Sequence, residues 1–272
     1  MENSVKETAS MVKDVAEAVK GVVEAVPVYQ DLAQPALKEV GTALGTVGKT
    51  INVALAPLSA LVWGYDKIKT YITNSLEQKL KNVPPERIIS PAPEVAGPAL
   101  EALRFAGHNE NLRELYANLL ATSMDSITAE TAHPSFVEIL KQLSPDEAKI
   151  MNLFSNDTNF PIISIKAINK ETNHFGYMLK KLSTIPEQAA CTTPKLGVSY
   201  LENLDRLGLI KIDLETFSTT DNFYTALENH PTTKSIFNII NSMNNRPEIQ
   251  KGLVYRTSLG SQFYNACISQ KR

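Results

Sequence analysis

Apolar residues recur at three- and four-residue spacings through the centre of the chain, between Asn109 and Met124. This spacing gives an α-helix one buried stripe and leaves its opposite face polar. Asn109 stands where a helix needs an N-cap side chain, so the helix is predicted to begin there. The predicted stripe consists of Leu112, Leu115, Tyr116, Leu119, Leu120 and Met124.

The N-terminal third of the chain shows a different pattern. Residues 4–26 combine small apolar residues with Lys and Glu at helical spacing, which predicts an amphipathic helix. Residues 40–64 are almost wholly apolar or small, and Lys49 is their only charge. The uncharged run within them, residues 50–63, is shorter than the roughly 20 apolar residues that a transmembrane helix needs.

Residues 40–64 therefore have two interpretations, and the sequence leaves both open. One is a buried or oligomer-forming helix of a soluble bundle. The other is a membrane-active hairpin or interfacial helix, because Gly41, Gly45 and Gly48 form a small-residue face and Trp63 is typical of a membrane interface. The residues predicted to contact lipid or another chain are Val53, Leu55, Leu58, Leu61, Val62 and Trp63.

The C-terminal part, residues 144–272, shows several shorter elements. Ser144 and Glu147 have the spacing of a capping box, with Pro145 at the first helical position, so a helix is predicted to begin here. Residues 175–182 are predicted to be helical. Residues 209–214 have the pattern of a strand, and 253–257 that of its partner.

This order of elements resembles a winged helix-turn-helix. A helix over 197–207 precedes the strand, and a final helix follows the returning strand. The wing would hold an insertion near residues 216–252, with its own helix at 233–243. The 197–207 helix would be the recognition helix, with Ser199, Asn203 and Arg206 as its candidate contacts. The predicted fold class is mainly α, with N-terminal amphipathic and apolar helices, a central helical region and a C-terminal winged-helix-like module with a small β-hairpin.

Charge argues against nucleic acid as the main partner. The chain has a formal net charge of −2, and from residue 144 onward it has 14 Lys/Arg against 12 Asp/Glu. Binding to phosphates is favoured by a concentrated basic face. Glu202 and Asp205 lie beside Arg206 on the candidate recognition helix. A protein partner or self-association is therefore preferred.

The cysteines and the N-terminus bear on location. Cys191 and Cys267 lie far apart and form no CxxC pair, as expected of reduced thiols in a cytosolic protein. The first residues lack a basic segment followed by an apolar run, so no secretory signal is predicted. The expected location is cytoplasmic, peripheral to the inner membrane if residues 40–64 contact lipid.

No motif of a known catalytic or cofactor site stands out. The chain contains no GxxxxGK[ST], GxGxxG, GxSxG or HExxH pattern, and its histidines lack the spacing of a zinc site. We expect no enzymatic activity, no cofactor, no metal site and no small-molecule substrate.

Two runs in the centre of the chain make it recognisable. NENLRELYANLLATSMD at 109–125 and HPSFVEILKQLSPDEAKIM at 133–151 resemble the abortive-infection alpha family of bacterial proteins. The resemblance is strongest over roughly residues 84–215. It implies a role in phage defence, in which an infected cell stops growing or dies before phage are released. It carries no catalytic residues onto this chain.

Together these patterns predict three regions: 1–82, a membrane-active or oligomerising helical region; 83–143, the central family-like helices; and 144–272, the winged-helix-like module. The favoured function is a non-enzymatic phage-defence protein acting through its apolar N-terminal helices on the inner membrane or on a partner. Two alternatives stay open, a winged-helix regulator that binds DNA and a soluble helical adaptor.

Overall fold

The computed structural model describes residues 65–155 and 158–269. Within them the chain divides into two compact units. The first comprises residues 65–142 together with 266–269, and the second comprises 143–155 and 158–265.

The first unit is built from α-helices that bury one face each. Its helices are α1 (Tyr65–Leu80), α2 (Pro93–Ala106), α3 (Glu110–Ser123) and α4 (Ser135–Lys141). Short 3-10 turns lie at Pro85–Arg87 and Ala129–Thr131. The predicted stripe of α3 is buried along its length. The Asn109 side chain accepts a hydrogen bond from the Leu112 N–H, which confirms the predicted N-cap.

Helix α1 belongs to the core of the first unit. Its residues Ile72, Leu76 and Leu80 recur every four positions and are almost completely buried. On the same helix, the Tyr71 hydroxyl donates a 2.7 Å hydrogen bond to the Glu114 carboxylate of α3. Burial of this apolar face stabilises the unit, since each large aliphatic side chain contributes about 1.5–3 kcal/mol.

The second unit combines a four-stranded antiparallel sheet with helices. The strands are β1 (Phe160–Asn169), β2 (Phe175–Leu182), β3 (Ile210–Asp213) and β4 (Asn245–Arg256), in the spatial order β2-β1-β4-β3. The helices are α5 (Pro145–Leu153), α6 (Ile185–Gln188), α7 (Gly197–Arg206), α8 (Thr225–Glu228), α9 (Pro231–Ser242) and α10 (Ser258–Phe263). A 3-10 turn lies at Pro194–Leu196, and a π-helical turn, Tyr264–Ile268, follows α10.

The predicted fold class, mainly α with a C-terminal winged-helix-like module and a small β-hairpin, is wrong, because the second unit is built on a four-stranded sheet. The two predicted strands do pair, as Ile212 opposite Val254 shows, but β4 extends back to Asn245 and pairs along ten positions with β1. Residues 175–182, predicted as a helix, form the edge strand β2. The expected wing insertion is therefore partly a strand of the central sheet, because residues 245–252 belong to β4.

The error over β2 has a local cause. Phe175, Met178 and Leu182 follow three- and four-residue spacings that suit a helix as well as a strand. The turn between β1 and β2 decides in favour of a hairpin. In it the Asn169 side chain accepts hydrogen bonds from the N–H groups of Glu171 and Thr172, and Asn173 adopts a φ of 57°. Asn tolerates this left-handed conformation and commonly occurs in turns.

Candidate functional site

The β1–β2 edge of the sheet in the second unit carries a group of aromatic and cationic side chains. Lys166 of β1 stands opposite Tyr177 of β2, and the Lys166 Nζ lies 5.6 Å from the Tyr177 ring centroid and 4.9 Å from that of Phe175. Lys180 Nζ lies 5.2 Å from the Tyr177 ring. We name Lys166, Phe175, Tyr177, Lys180 and Gln250 the aromatic–lysine face.

Cross-strand pairing aligns these residues. The two rings meet edge to face, with centroids 5.8 Å apart and planes at 89°. The Tyr177 hydroxyl donates a 2.6 Å hydrogen bond to the Gln250 side-chain oxygen of β4, which fixes the ring over the sheet. Because side chains alternate along a strand, Ile165 and Ala167 point to the other side, where they pack against Ile240 of α9.

Both rings of the aromatic–lysine face and Lys180 are exposed to solvent, whereas Lys166 and Gln250 are half-buried. Phe175 is 58% exposed and Tyr177 is 39% exposed, although large aromatic side chains usually lie inside. β2 is an edge strand, and its first four residues are all exposed. Exposed apolar side chains grouped in this way are typical of binding surfaces.

Basic residues outnumber acidic ones on the same three strands and in the β1–β2 turn, although they lie on both faces of the sheet. From β1 through β2 and along β4 the chain has seven basic residues and two acidic ones. Three of the basic residues have acidic partners: Lys181 with Glu202 at 2.6 Å, Lys251 with Glu228 at 2.9 Å, and Arg246 with Glu248 at 3.5 Å. The full set is Lys166, Lys170, Lys180, Lys181, Arg246, Lys251 and Arg256, against Glu171 and Glu248.

A second polar cluster surrounds Asp146 at the start of α5. Its carboxylate accepts hydrogen bonds from the N–H groups of Thr192 (2.8 Å) and Thr193 (3.0 Å), from Lys149 Nζ (3.0 Å) and from the Tyr200 hydroxyl (3.2 Å). Burial by itself raises the pKa of this carboxyl, but the hydrogen bonds and the Lys149 charge outweigh it and hold the pKa well below its usual range. The cluster ties the loop after α6 to α5.

Neither cysteine has the properties of a catalytic thiol. Cys191 and Cys267 are both buried and free. Burial, and then the nearby Asp146 charge, raise the pKa of Cys191 to about 11, and burial raises that of Cys267 well above its usual value. Both groups are therefore protonated near neutral pH, whereas the thiolate is the reactive form.

The candidate recognition residues lie on α7, and their side chains are engaged in different ways. Ser199 is exposed. The Asn203 amide donates a 2.8 Å hydrogen bond to the Glu147 carboxylate, and its oxygen accepts hydrogen bonds from the guanidinium of Arg206. The predicted capping box is confirmed, since the Ser144 N–H donates to the same Glu147 carboxylate at 2.6 Å. DNA contact by these residues stays a prediction.

The predicted lipid- or protein-contacting residues, Val53, Leu55, Leu58, Leu61, Val62 and Trp63, lie outside the described residues. Within residues 65–155 and 158–269, no helix combines the length and apolar character needed to cross a membrane. In the same part of the chain, no group of three His, Cys, Asp or Glu side chains is arranged to hold a metal ion.

The aromatic–lysine face was not found from the sequence. A signal for it exists, because Phe175 and Tyr177 alternate with smaller residues at the period of a strand, and two lysines follow. The helical interpretation of residues 175–182 concealed this alternation. The charge balance of the whole module also concealed it, because Lys166 meets the rings of Phe175 and Tyr177 only when β1 and β2 pair.

The fold thus joins a helical unit with a second unit built on an antiparallel sheet. The sequence model of the family described as abortive infection alpha matches residues 64–267, which is well over half of the chain. The chain belongs to the abortive infection alpha family.

Two further comparisons add little. An uncharacterized protein from the hydrocarbon-degrading marine bacterium Alcanivorax borkumensis SK2 has a similar structure over 53% of this chain and 96% of its own, with 15% sequence identity and a TM-score of 0.35. This similarity is too low to carry an argument. No curated protein matches the chain.

Proposed function

We propose that this protein is a non-enzymatic effector of abortive infection that acts in the cytoplasm, through its apolar segment 40–64, on the inner membrane or on a protein partner. The observation that carries the proposal is the family match over residues 64–267, directly preceded by a segment with a single charge, Lys49. Residues 65–155 and 158–269, which the structure describes, follow this segment in the chain.

The roles of the buried reactive groups support a non-enzymatic mode. Asp146 has a strongly lowered pKa, and shifted carboxyls often mark active sites. Here four hydrogen-bond donors from the same unit use the carboxylate to hold a loop. The thiols of Cys191 and Cys267 are held in their protonated form. These groups therefore serve the packing of the protein.

The composition of residues 40–64 supports their proposed contact with the inner membrane or with a partner. Three glycines at helical spacing allow close approach of another helix, in lipid or in an oligomer. An interfacial helix gains affinity from its buried apolar area, which Val53, Leu58 and Trp63 would provide. Self-association and membrane binding are the two forms that this contact can take.

Flotation of the protein with liposomes of bacterial inner-membrane lipid tests the proposal, together with chemical cross-linking of the same samples. The full-length protein is compared with a truncated protein of residues 65–272 and with a Leu55→Asp, Leu61→Asp variant. A Ser4→Asp, Thr8→Asp variant adds the same charge elsewhere in the N-terminal region and serves as the matched control.

We expect the full-length protein and the control to float or to form cross-linked oligomers, and the truncated and Leu-substituted proteins to do neither. The truncation ends before α1 because Ile72, Leu76 and Leu80 of that helix are core residues. If all four proteins behave alike in both assays, residues 40–64 are not the interacting element and the proposal is wrong.

A further inference from the structure

We infer that the aromatic–lysine face binds single-stranded nucleic acid. This inference goes beyond the proposed function and does not depend on it. The surface is formed where Phe175 and Tyr177 of β2 supply exposed rings and Lys166 and Lys180 supply charge.

Charged residues are unevenly distributed along the chain. The whole chain has 27 Lys/Arg and 29 Asp/Glu, yet the β1–β2 hairpin and β4 together have seven basic and two acidic residues. Lys166 and Lys180 lie over rings and Lys170 bonds to Asn244, while Glu248, which stands opposite Lys166, is paired with Arg246. A polyanion is therefore the partner with complementary charge at this surface.

The face also presents two exposed aromatic rings. Phe175 has more than half of its surface open to solvent, and Tyr177 is held in place by its hydrogen bond to Gln250. Unpaired bases stack on exposed aromatic rings, while adjacent basic side chains bind the backbone phosphates. An antiparallel sheet with aromatic side chains on its surface is a suitable platform for this contact.

Other polyanions would contact fewer side chains of the aromatic–lysine face. Lipid headgroups and acidic peptides could bind through the charges of Lys166, Lys170 and Lys180 alone. Neither ligand needs two rings that stand edge to face on a sheet. Double-stranded nucleic acid has no unstacked bases to offer to Phe175. Single strands use both the rings and the charges, so they fit the observed side chains best.

Fluorescence anisotropy of the full-length protein with fluorescein-labelled single strands of about 20 nucleotides, oligo-U and oligo-dT, tests the inference. The competitors are an unlabelled duplex, vesicles of anionic lipid and poly-glutamate. We expect a Kd of about 1–100 μM near physiological salt, as for binding without sequence preference. With three lysines engaged, log K should fall against log salt with a slope of about −2.

Matched variants separate the contributions. Phe175→Ala should weaken binding about 5- to 100-fold, as expected for the loss of one stacked base, whereas Phe175→Tyr should keep it. Lys166→Gln with Lys180→Gln should reduce the salt slope to about −0.7, because only one phosphate contact is left. Lys234→Gln removes an exposed lysine from α9, which covers the opposite side of the sheet, and should change nothing. Circular dichroism confirms that each variant is folded.

Binding that follows this pattern supports the inference. The absence of binding at about 50 mM salt, where contacts to phosphate are strongest, would overturn it. So would equal competition by duplex, vesicles or poly-glutamate, since the rings would then play no part. An equal effect of Lys234→Gln and of the combined Lys166→Gln, Lys180→Gln substitution would also overturn it, because binding would then not be localised to this face.

Discussion

The side-chain amide of Asn118 donates a 2.9 Å hydrogen bond to the main-chain carbonyl of Cys267, and both groups are buried. One helical turn further along α3, the Thr122 hydroxyl donates a 2.9 Å bond to the carbonyl of Ala266. The two acceptors belong to the π-helical turn, whose hydrogen-bond spacing differs from that of an α-helix. Two side chains of α3 thus hold the C-terminal segment in the first unit.

Replacing Asn118 by Leu should destabilise the protein by about 1–3 kcal/mol, because a buried carbonyl loses its donor. The measurement is the urea midpoint followed by circular dichroism. Asn238→Leu on α9 is the control, since Asn238 is exposed and its substitution should cost less than about 0.5 kcal/mol. An equal loss of unfolding free energy in the two variants would show that the Asn118 hydrogen bond does not stabilise the protein.

Acid should destabilise the protein through Asp146. Its pKa in the folded state lies below the unfolded value of about 3.9, so its contribution is complete above that value and is lost as pH falls toward the folded pKa. Asp146→Asn should cost about 2–3 kcal/mol at pH 7 and flatten the dependence of unfolding free energy on pH below about 4. Urea titrations from neutral to acid pH measure both effects.

Glu171→Gln is the control for the Asp146 prediction, because Glu171 is an exposed carboxylate in the β1–β2 turn. It should leave the acid dependence unchanged. An Asp146→Asn variant with the same acid dependence as the unsubstituted protein would contradict the role assigned to the carboxylate.

The two thiols should be unreactive in the folded protein. With a pKa of about 11, Cys191 is ionised to only about 0.1% at pH 8, and burial raises the pKa of Cys267 well above its usual value. An aromatic disulfide reagent should therefore modify neither cysteine over minutes in native buffer and both in denaturant. Fast modification of either thiol in the native protein would contradict the assigned environment.

Two glycines of the second unit should respond in opposite ways to replacement by Ala. A Cβ at Gly260 would lie 1.8 Å from the carbonyl oxygen of Leu209, so Gly260→Ala must displace backbone and should cost at least about 2 kcal/mol. A Cβ at Gly176 would meet nothing within 4 Å. Gly176→Ala should be neutral or stabilising by up to about 1 kcal/mol, because Ala restricts the unfolded chain. Thermal unfolding of the pair tests this contrast directly.

Local signals in the sequence predicted much of the helical structure. The Asn109 cap, the capping box of Ser144 and Glu147, and the helix near 233–243 depend on residues within a few positions of each other, and all three are confirmed. The sheet depends on pairing between distant residues, such as Phe160 opposite Val254. No local pattern specifies such a pairing, so the long β4 strand and its place beside β1 were missed.

The candidate site was missed for a related reason. Its charge is invisible in the composition of the module, where 14 basic and 12 acidic residues nearly balance. Strand pairing brings Lys166 beside Tyr177, and both beside Gln250. Because this grouping of side chains depends on the register of the strands, it could be predicted only once that register was known.

The proposed effector role of residues 40–64 is tested most directly by infecting bacteria that produce equal amounts of the full-length protein, the 65–272 protein or the Leu55→Asp, Leu61→Asp variant. The efficiency of plating is measured for each, with survival of infected cells counted in the same cultures. We predict that only the full-length protein lowers plating of a susceptible phage, and that its infected cells die without releasing phage. Full protection by the 65–272 protein would contradict it, because the defence would then reside in the folded units alone.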